Sequence, residues 1–419
     1  MRARITDCDI AIAGGGMVGV SLGLLLAARL AQDTRILLLE GFPLPARDDQ
    51  HEKAYTPSFD ARATALSHSS YQIYQELGIW PALARRACPI LRIHVSERGR
   101  FGSTLLRAKD QSWDALGYVV ENAWLGASLI QQLYLREQPV LRSPARVSAV
   151  RAAGDGYHLS LEAGDQIRAR LLVVADGADS SLRQALDIPV RTRSYRQHAL
   201  IANIGHATEH GNCAYERFTG QGPLAMLPLL ADSSGEPRSA LVWTLPEALA
   251  RELTACPEAE FLRRLQGRFG YRLGRLCKVG ERFSYPLALV QAEEQVRRGL
   301  ILLGNAAHSL HPVAGQGFNL ALRDAVVFAQ VLAAAQRNGE DLADLSLLQR
   351  YEHLRQGDQA RTLAISDRLP RLFGHPGVAL RSLRDLGLFS LDISPALKRQ
   401  FVQQTAGASA SSRQAGEQG

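Results

Sequence analysis

Three glycines near the start of the chain constrain its fold more than any other feature. Gly14, Gly16 and Gly19 have the spacing G-x-G-x-x-G. Residues 8–13, which precede them, form an apolar run of strand length, and residues 17–31 have the length and composition of a helix. A strand, a glycine turn and a helix in this order predict the start of a βαβ unit, and therefore a doubly wound α/β sheet.

The second strand of the unit is predicted at residues 35–40, which end on Glu40. In a nucleotide-binding unit Gly14 allows a tight turn, Gly16 lets the backbone approach a pyrophosphate, and Gly19 lets the helix pack closely on the sheet. A carboxylate about 20 residues further on accepts hydrogen bonds from a ribose, and its charge favours FAD or NAD over NADP. The pattern predicts a dinucleotide site. A purely structural glycine turn is the alternative, and the choice between FAD and NAD stays open at this point.

A second apolar strand ends in the sequence LLVVADGADSSLR, residues 171–183. The apolar run stops at Asp176-Gly177, and a helix is predicted to start near Ser180, with Asp179 or Ser180 as its N-cap. An ordinary strand–turn–helix connection is the alternative interpretation of this segment.

A third strand, predicted at residues 299–303, leads into GNAAHSLHPVAGQGFN, residues 304–319, and then into a helix to about residue 336. His308 and His311 lie three residues apart in this segment. No nearby set of Cys, Asp or Glu completes a ligand shell, so we predict no metal site. Packing and loop hydrogen bonding are expected of His308.

Composition places the chain among folded globular proteins. It has 419 residues, of which 46% are hydrophobic and 21% are charged. The five cysteines are scattered without a C-x-x-C pair, which favours free thiols in the cytoplasm. We expect no signal peptide and no membrane span. The net charge of +7 is compatible with an anionic partner or membrane surface, or with mere arginine-rich composition. No stretch interleaves clustered basic residues with aromatic residues, which argues against nucleic acid.

The predicted elements indicate domains that are discontinuous in sequence. Residues 190–290 contain several strand-like runs and are interpreted as a mostly antiparallel sheet inserted into the nucleotide-binding unit. Helices are predicted at 64–87, 122–137 and 345–390. The predicted division is a nucleotide-binding domain at 1–75, 95–185 and 280–345, a substrate domain at 76–94 and 186–279, a helical region at 346–404 and a disordered tail at 405–419.

The second and third turns resemble the fingerprints of the class A flavoprotein monooxygenases. The middle fingerprint of that family, D-G-x-x-S-x-x-R, is matched by Asp176, Gly177, Ser180 and Arg183. The third fingerprint is matched by Gly304, Asn305, Ala306, Ala307, His308, Pro312, Gly315, Gly317, Asn319 and Asp324. The family has Asp where this chain has Asn305, which retains an acceptor oxygen but carries no charge.

The resemblance implies a fold and a cofactor. The fold is α/β, with a Rossmann-like FAD-binding domain of the glutathione-reductase type, an inserted, mostly antiparallel substrate sheet and C-terminal helices. FAD would lie against all three turns, and the residues implied to bind it are Gly14, Gly16, Gly19, Glu40, Arg62, Asp176, Gly177, Arg183, Gly304, Asn305, Gly315, Gly317 and Asn319. The helix after the third turn would direct its positive end at the flavin ring. The role implied for Arg62 is a pyrophosphate contact, with a surface arginine as the alternative.

Further tracts are similar to the ubiquinone-biosynthesis hydroxylases within that class. They are FDARATALSHSS (59–70), LGYVVEN (116–122), AYERFTGQGPLAMLPL (214–229), SALVWTLP (239–246), SYPLAL (284–289) and LHPVAGQGFNLALRDA (310–325). The resemblance implies NAD(P)H- and O2-dependent hydroxylation of a polyprenylated phenol through a flavin C4a-hydroperoxide. Within the family, the tracts ERFTGQGPLAMLP and GNAA resemble most the member that converts 2-polyprenyl-6-methoxyphenol to 2-polyprenyl-6-methoxy-1,4-benzoquinol, and they imply this substrate and product.

The residues proposed for the substrate are less constrained by the sequence. Candidates for the cavity wall are Met226, Pro228, Trp243, Tyr285 and Pro312, with ordinary core packing as the alternative. No catalytic base is evident, and His311 is the one candidate for polarising the substrate. The partners implied are the phenol, other ubiquinone-biosynthesis proteins and the inner membrane surface. A sibling hydroxylase acting at another ring position, a prenyl reductase and a non-catalytic flavoprotein component are the rival interpretations.

Overall fold

The computed structural model describes residues 5–44, 62–97, 103–232, 235–310 and 316–374. The strands are β1 (Ile5–Ala13), β2 (Ile36–Leu39), β3 (Ala63–Ser67), β4 (Ala87–Ile90), β5 (Arg92–Glu97), β6 (Ser103–Arg107), β7 (Gly117–Glu121), β8 (Val140–Arg142), β9 (Val147–Ala153), β10 (Gly156–Leu161), β11 (Gln166–Val174), β12 (Val190–His206), β13 (Cys213–Thr219), β14 (Gly222–Leu229), β15 (Arg238–Pro246), β16 (Leu276–Val279), β17 (Phe283–Ala292), β18 (Val296–Arg297), β19 (Leu300–Leu302) and β20 (His308–Ser309). The helices are α1 (Met17–Arg29), α2 (His68–Glu76), α3 (Trp80–Ala84), α4 (Asn122–Tyr134), α5 (Ser181–Ala185), α6 (Glu247–Ala255), α7 (Glu258–Phe269), α8 (Gln316–Arg337) and α9 (Leu345–Gly374).

The first sheet contains the predicted βαβ unit. Its strand order is β18-β19-β11-β1-β2-β8, and β1 pairs in parallel with both β11 and β2. Successive residues of β1 alternate between two cores, since Ile10 and Ile12 pack with α1 and α8 while Ala11 and Ala13 pack on the opposite face. The sequence of a strand that is buried on both faces is an almost continuous run of apolar residues. The βαβ prediction is confirmed.

The second sheet is the inserted, mostly antiparallel sheet. Its order is β20-β17-β12-β15-β14-β13-β5-β6, with β16 beside β12. The helices α6 and α7 cover one face with a core that includes Trp243, Phe261 and Phe269. These two helices lie within a segment that was predicted as strands and connections, and the sequence interpretation missed them.

The domain boundaries predicted from the sequence differ from the observed sheets. The hairpin β5–β6 and the strand β17 belong to the second sheet, whereas residues 95–97 of β5, all of β6 and all of β17 were assigned to the nucleotide-binding domain. The pairing of β5 with β13 is parallel and joins strands more than a hundred residues apart. Local sequence patterns do not encode the partner of such a strand. Of the predicted C-terminal regions, the helix α9 is observed from residue 345, and residues 375–419 lie outside the described part.

A small sheet, β3-β7-β4, corrects another prediction. The helical segments expected around 64–87 are observed as α2 and α3, but the start of this range is the strand β3. Ser67 ends the strand and caps α2, because its Oγ accepts a hydrogen bond from the Ser70 amide at 3.3 Å. Gly78, at φ +70°, separates the two helices. The three elements have too few residues each for a hydrophobic period to distinguish them.

The long helix α8 has the length and apolar composition of a membrane span, but 78% of its most apolar stretch is buried inside the protein. It packs between α1 and α9. An apolar helix that is buried on most sides is typical of a domain core.

A buried ionic cluster joins α8 to α9. Asp324 accepts from Arg355 Nε at 2.5 Å and lies 3.0 Å from His308 Nε2. Asp358 Oδ2 lies 2.5 Å from Arg355 Nη2 and 2.9 Å from Arg323 Nε. Burial alone would raise the pKa of Asp324, but the charge of Arg355 and the hydrogen bond from His308 outweigh it and hold the pKa at about 2. Asp324 therefore remains ionised at neutral pH.

We predict that Arg355→Met destabilises the protein by about 3–5 kcal/mol, because it leaves the buried carboxylate of Asp324 without its cation. Arg350→Met, on the same helix, is the matched control. Arg350 pairs with Glu340 at 2.7 Å, but its side chain is 50% exposed, against 3% for Arg355, and an exposed pair contributes at most about 1 kcal/mol. Urea denaturation followed by circular dichroism measures both effects. Equal losses in the two variants would contradict the prediction.

Candidate functional site

The three glycine turns meet at one edge of the first sheet. In register across the sheet, Leu39 of β2 lies beside Ala13 of β1, Ala13 beside Val174 of β11, and Val174 beside Leu302 of β19. All four strands are parallel, so their carboxyl ends point to the same side. The segments that follow them therefore converge, although they are far apart in the chain. Ligands of open α/β sheets bind at this edge.

The glycines of the first turn have different roles. Gly14 has φ +119°, and a Cβ there would lie 2.3 Å from the Ala175 carbonyl oxygen. A Cβ on Gly19 would lie 1.9 Å from the Gly14 oxygen. A Cβ on Gly16, by contrast, would meet no atom within 4 Å. The fold itself requires Gly14 and Gly19, whereas Gly16 leaves open space at the N-terminus of α1, where a phosphate would be bound.

Glu40 places a carboxylate beside this turn. It is 8% exposed, and its Oε2 accepts from the Gly15 amide at 2.7 Å while Oε1 accepts from the Phe42 amide at 2.9 Å. Each oxygen retains acceptor capacity for a further donor such as a ribose hydroxyl. Gly14, Gly16 and Glu40 all line the same cavity.

The second turn supplies a buried acceptor. Asp176 Oδ2 accepts from the Leu182 amide at 3.3 Å, while Asp176 Oδ1 is buried and accepts no hydrogen bond within the described part of the chain. Burial raises the pKa of this carboxyl. Asp176 and Gly177, the latter at φ +101°, both line the cavity. A buried oxygen without a partner is rare in folded proteins, and a ligand donor would satisfy this one.

Ser180 caps α5, with its Oγ accepting from the Arg183 amide at 2.9 Å, as one of the two predicted caps. Arg183 itself does not line the cavity, which corrects its predicted contact with the cofactor. Its guanidinium is buried and donates to the carbonyls of Ala306 and Ala178, each at 2.9 Å. Arg183 therefore holds the third turn against the second.

The third turn passes close to α1. Gly304 has φ +64°, and a Cβ there would lie 3.2 Å from the Val18 side chain. Gly304, like Gly19, supports the turn from outside the cavity wall, whereas Asn305 lines the cavity. His311, Pro312 and Gly315 lie outside the described residues, so their predicted roles stay predictions.

The start of α8 forms the next part of the wall. Gln316, Gly317 and Asn319 line the cavity. Asn319 Oδ1 accepts from the Ser67 amide at 2.8 Å, and its Nδ2 donates to the Ala65 carbonyl at 2.8 Å. Asn319 therefore fixes β3, which also lines the cavity, against the N-terminus of α8.

Arg62 and Tyr285 both line the cavity, and their side chains are in contact with each other. The Arg62 guanidinium lies 5.2 Å from the centre of the Tyr285 ring, within the range of a cation–π contact. The two residues line the cavity, as expected for a phosphate contact and a substrate contact respectively. Which ligand group each one touches stays a prediction.

The open face of the second sheet forms the floor of the cavity. Ala225 and Leu227 of β14 and Val242 of β15 line it. Met226 and Trp243 are their neighbours in sequence and point to the opposite face, where they are buried in the core under α6 and α7. Successive residues of a strand point to opposite faces.

Met226, Trp243 and Pro228 do not line the cavity, so the prediction that they contact the substrate is wrong. Their immediate neighbours in sequence, Leu227 and Val242, line it instead. Pro228, two residues after Met226, is buried and does not line the cavity. The residues of β14 that do line it, Pro223, Ala225 and Leu227, are small or aliphatic.

The cavity has a volume of about 1400 Å³ and extends from the three turns to the floor. This exceeds the roughly 300–1,000 Å³ that is usual for a single small-molecule site. Among the described residues, no group of three or more His, Cys, Asp or Glu is arranged to hold a metal ion.

The sequence interpretation missed the charged residue of the floor, Glu216 on β13. It lines the cavity in an otherwise apolar part of the sheet. A glutamate inside a run of strand-forming residues was the available signal, but the strand alone does not indicate which face is open.

Similarities to known proteins agree with this site. A family model described as an FAD binding domain matches residues 7–364. Ubiquinone hydroxylase UbiL of Rhodospirillum rubrum is 37% identical over 95% of this chain and 89% of its own length. The 3-demethoxyubiquinol 3-hydroxylase of Escherichia coli is 33% identical over 95% of this chain and 98% of its own length.

A solved structure supports the fold. The crystal structure of p-nitrophenol 4-monooxygenase PnpA from Pseudomonas putida aligns with a TM-score of 0.74, covering 96% of this chain and 99% of that chain at 18% identity. The predicted Rossmann-like domain with an inserted substrate sheet is confirmed at the level of fold.

The described residues fit FAD. Gly16 leaves room at a helix N-terminus for the pyrophosphate, Glu40 offers ribose acceptors, and Asp176 presents an unpartnered oxygen. The cavity continues from these groups to the start of α8.

We predict that Gly16→Val removes most bound FAD while leaving the fold intact, because the new side chain occupies the open space at the start of α1. Loss of one hydrogen bond to a charged phosphate costs about 1.5–3 kcal/mol, which corresponds to a roughly 10- to 150-fold weaker affinity. Flavin released on denaturation and the melting temperature of the apoprotein are measured together. Gly267→Val is the control, since Gly267 lies exposed on α7 and its Cβ would also meet no atom within 4 Å. Unchanged FAD content in Gly16→Val would contradict the assignment of this turn.

Proposed function

The chain belongs to the class A FAD-dependent monooxygenases of the ubiquinone-biosynthesis hydroxylase family, and on that premise we propose that it hydroxylates 2-polyprenyl-6-methoxyphenol to 2-polyprenyl-6-methoxy-1,4-benzoquinol. The observation that carries the proposal is a single cavity, with the three glycine turns at one end and an apolar sheet face at the other. NAD(P)H as reductant and O2 as oxidant are part of the proposal.

FAD, when bound, supplies the redox and oxygen-activating chemistry, and the protein supplies binding, orientation and a dry environment. The start of α8, at Gln316 and Gly317, lines the cavity, and the first backbone N–H groups of a helix have no partner within the helix itself. Such donors stabilise negative charge that develops on a nearby ring. Asn305, where the family has an aspartate, adds no charge here.

The floor of the cavity suits a ring that carries a long apolar chain. Residues from eight strands of the second sheet line the cavity, and most are aliphatic or small, such as Ile201, Leu227 and Val242. Ile365 of α9 lines the same cavity. Burying apolar surface contributes about 25 cal/mol per Å², so a prenyl chain would contribute much of the binding free energy. Apolar walls also exclude water from the reacting groups.

We also propose a cellular location and partners for the protein. A polyprenylated substrate resides in a membrane, and a net charge of +7 favours an anionic surface. We place the protein in the cytoplasm, peripheral to the inner membrane and in contact with other ubiquinone-biosynthesis proteins. We further propose that the Arg-containing segments 380–392 and 394–404, which lie outside the described residues, form the face toward that surface or toward a partner protein. A solvated helix face is the alternative for them.

A second candidate is the sibling reaction at another ring position. It is favoured by the 33% identity to a protein named 3-demethoxyubiquinol 3-hydroxylase. The two candidates share the cofactor, the cavity and the chemistry. They differ in the substituents of the ring that must fit against the floor.

We predict that deleting the gene stops ubiquinone synthesis and causes 2-polyprenyl-6-methoxyphenol to accumulate, as measured by mass spectrometry of lipid extracts. Complementation with wild type restores ubiquinone, whereas Gly16→Val does not. Accumulation of a demethoxylated, ring-methylated quinol would establish the sibling reaction instead. Unchanged ubiquinone with no precursor would contradict a role in the pathway.

A further inference from the structure

Glu216 lies in the middle of the cavity floor. It belongs to β13 and pairs with Ala225 of β14 on one side and with Val95 of β5 on the other. These residues are part of one row that crosses seven strands of the second sheet in register. From β17 to β6 the row is Phe283, Ile201, Val242, Ala225, Glu216, Val95 and Thr104.

Glu216 has no partner for its charge. Within the described part of the chain it makes no hydrogen bond or ion pair, and it is the only charged residue that the second sheet contributes to the cavity wall. Its neighbour Arg217 does not pair with it, and instead donates a hydrogen bond to the Arg268 carbonyl at 3.0 Å. The nearest side chains across the strands are a methyl group and an isopropyl group.

Burial raises the pKa of Glu216 to about 7, with no charged neighbour contributing to the shift. An unpaired carboxyl in an apolar environment costs free energy that an alanine or valine at this position would not. Perturbed carboxyls in a cleft are typical of functional sites. The side chain is partly accessible, and it lines the cavity.

We propose that the Glu216 carboxylate accepts the phenolic proton of the substrate during hydroxylation, an inference that rests on the proposed function. The phenol O–H bond breaks and a Glu216 O–H bond forms. The electron pair of the broken bond stays on the substrate oxygen and raises the electron density of the ring carbons ortho and para to it. The oxidant and reductant are the O2 and NAD(P)H of the proposed reaction. After hydroxylation the proton returns from Glu216 to the substrate oxygen, while the attacked ring carbon loses its hydrogen as a proton to solvent, so the quinol product carries both hydroxyl groups.

The other polar and charged side chains near this face are not suited to accept the phenolic proton. Thr104 and Thr244 have hydroxyls, which are not bases at neutral pH. Arg62 is a cation and packs on the Tyr285 ring. Glu97, two residues beyond Val95 on β5, belongs to the same strand face but does not line the cavity.

Three titratable groups in the described part of the helix α9, which packs against β13 and β14, are paired or exposed. Asp367 accepts from the Tyr195 hydroxyl at 2.9 Å. Asp358 belongs to the buried cluster with Arg323 and Arg355, and Arg361 is exposed. The pH response of the site is therefore expected to follow Glu216.

The test compares wild type, Glu216→Gln and Glu97→Gln as FAD-loaded enzymes with 2-geranyl-6-methoxyphenol as the probe. Only the ionised carboxylate accepts a proton, so the wild-type kcat should rise as the pH increases through about 7 and then level off. Glu216→Gln should lose about 100-fold in kcat, the usual contribution of a general base, and should lose this rise. Glu97→Gln should keep the wild-type profile. The FAD content of all three should be the same.

A binding measurement separates this inference from the proposed reaction. The dissociation constants of the probe phenol and of its O-methyl ether are measured at pH 8 by quenching of flavin fluorescence. Wild type should prefer the phenol at least tenfold, and Glu216→Gln should bind the two equally. If no hydroxylated product forms but this preference depends on Glu216, the proposed reaction is wrong and the hydroxyl-binding role stands. If Glu216→Gln keeps the kcat, the pH profile and the preference of wild type, the inference is overturned while the proposed reaction is untouched.

Discussion

The parallel register of four strands is the constraint on which the site depends. Ala13, Leu39, Val174 and Leu302 end their strands side by side. Each residue of a strand advances the chain by about 3.3 Å, so a slip of one residue would move a turn by that distance relative to its neighbours. The hydrogen bonds from the Ala175 amide to the Ala13 carbonyl, 2.8 Å, and from the Leu303 amide to the Val174 carbonyl, 2.9 Å, continue this register into the turns.

Once the turns are aligned, side chains from outside the cavity hold them in place. Arg183 binds a carbonyl of each of two turns, and Asn319 ties β3 to α8. The cluster around Asp324 and Arg355 fixes α9, which adds Ile365 to the cavity wall. Several fingerprint residues therefore act on the cofactor site through the backbone, because their polar atoms are already used by the protein.

The local elements could be predicted from the sequence where a physical requirement has a short sequence signature. The glycine spacing predicted β1, α1 and β2, because only glycine tolerates the contact that a Cβ on Gly14 or Gly19 would make. The face of a strand could not be predicted in the same way. In β14 the residues facing the cavity, such as Leu227, and those facing the core, such as Met226, are both apolar. Without alternation of polar and apolar residues, the pattern does not distinguish the two faces, so Met226 and Trp243 were assigned to the wrong one.

A crystal structure of the FAD complex tests the central claim most directly. The pyrophosphate should lie at the N-terminus of α1, within about 3 Å of the Gly16 amide, the adenosine ribose should lie at Glu40, and the flavin ring should lie between the start of α8 and the floor that carries Glu216. FAD bound outside this cavity, or with its pyrophosphate away from the three turns, would contradict the claim that the strand register builds the cofactor site.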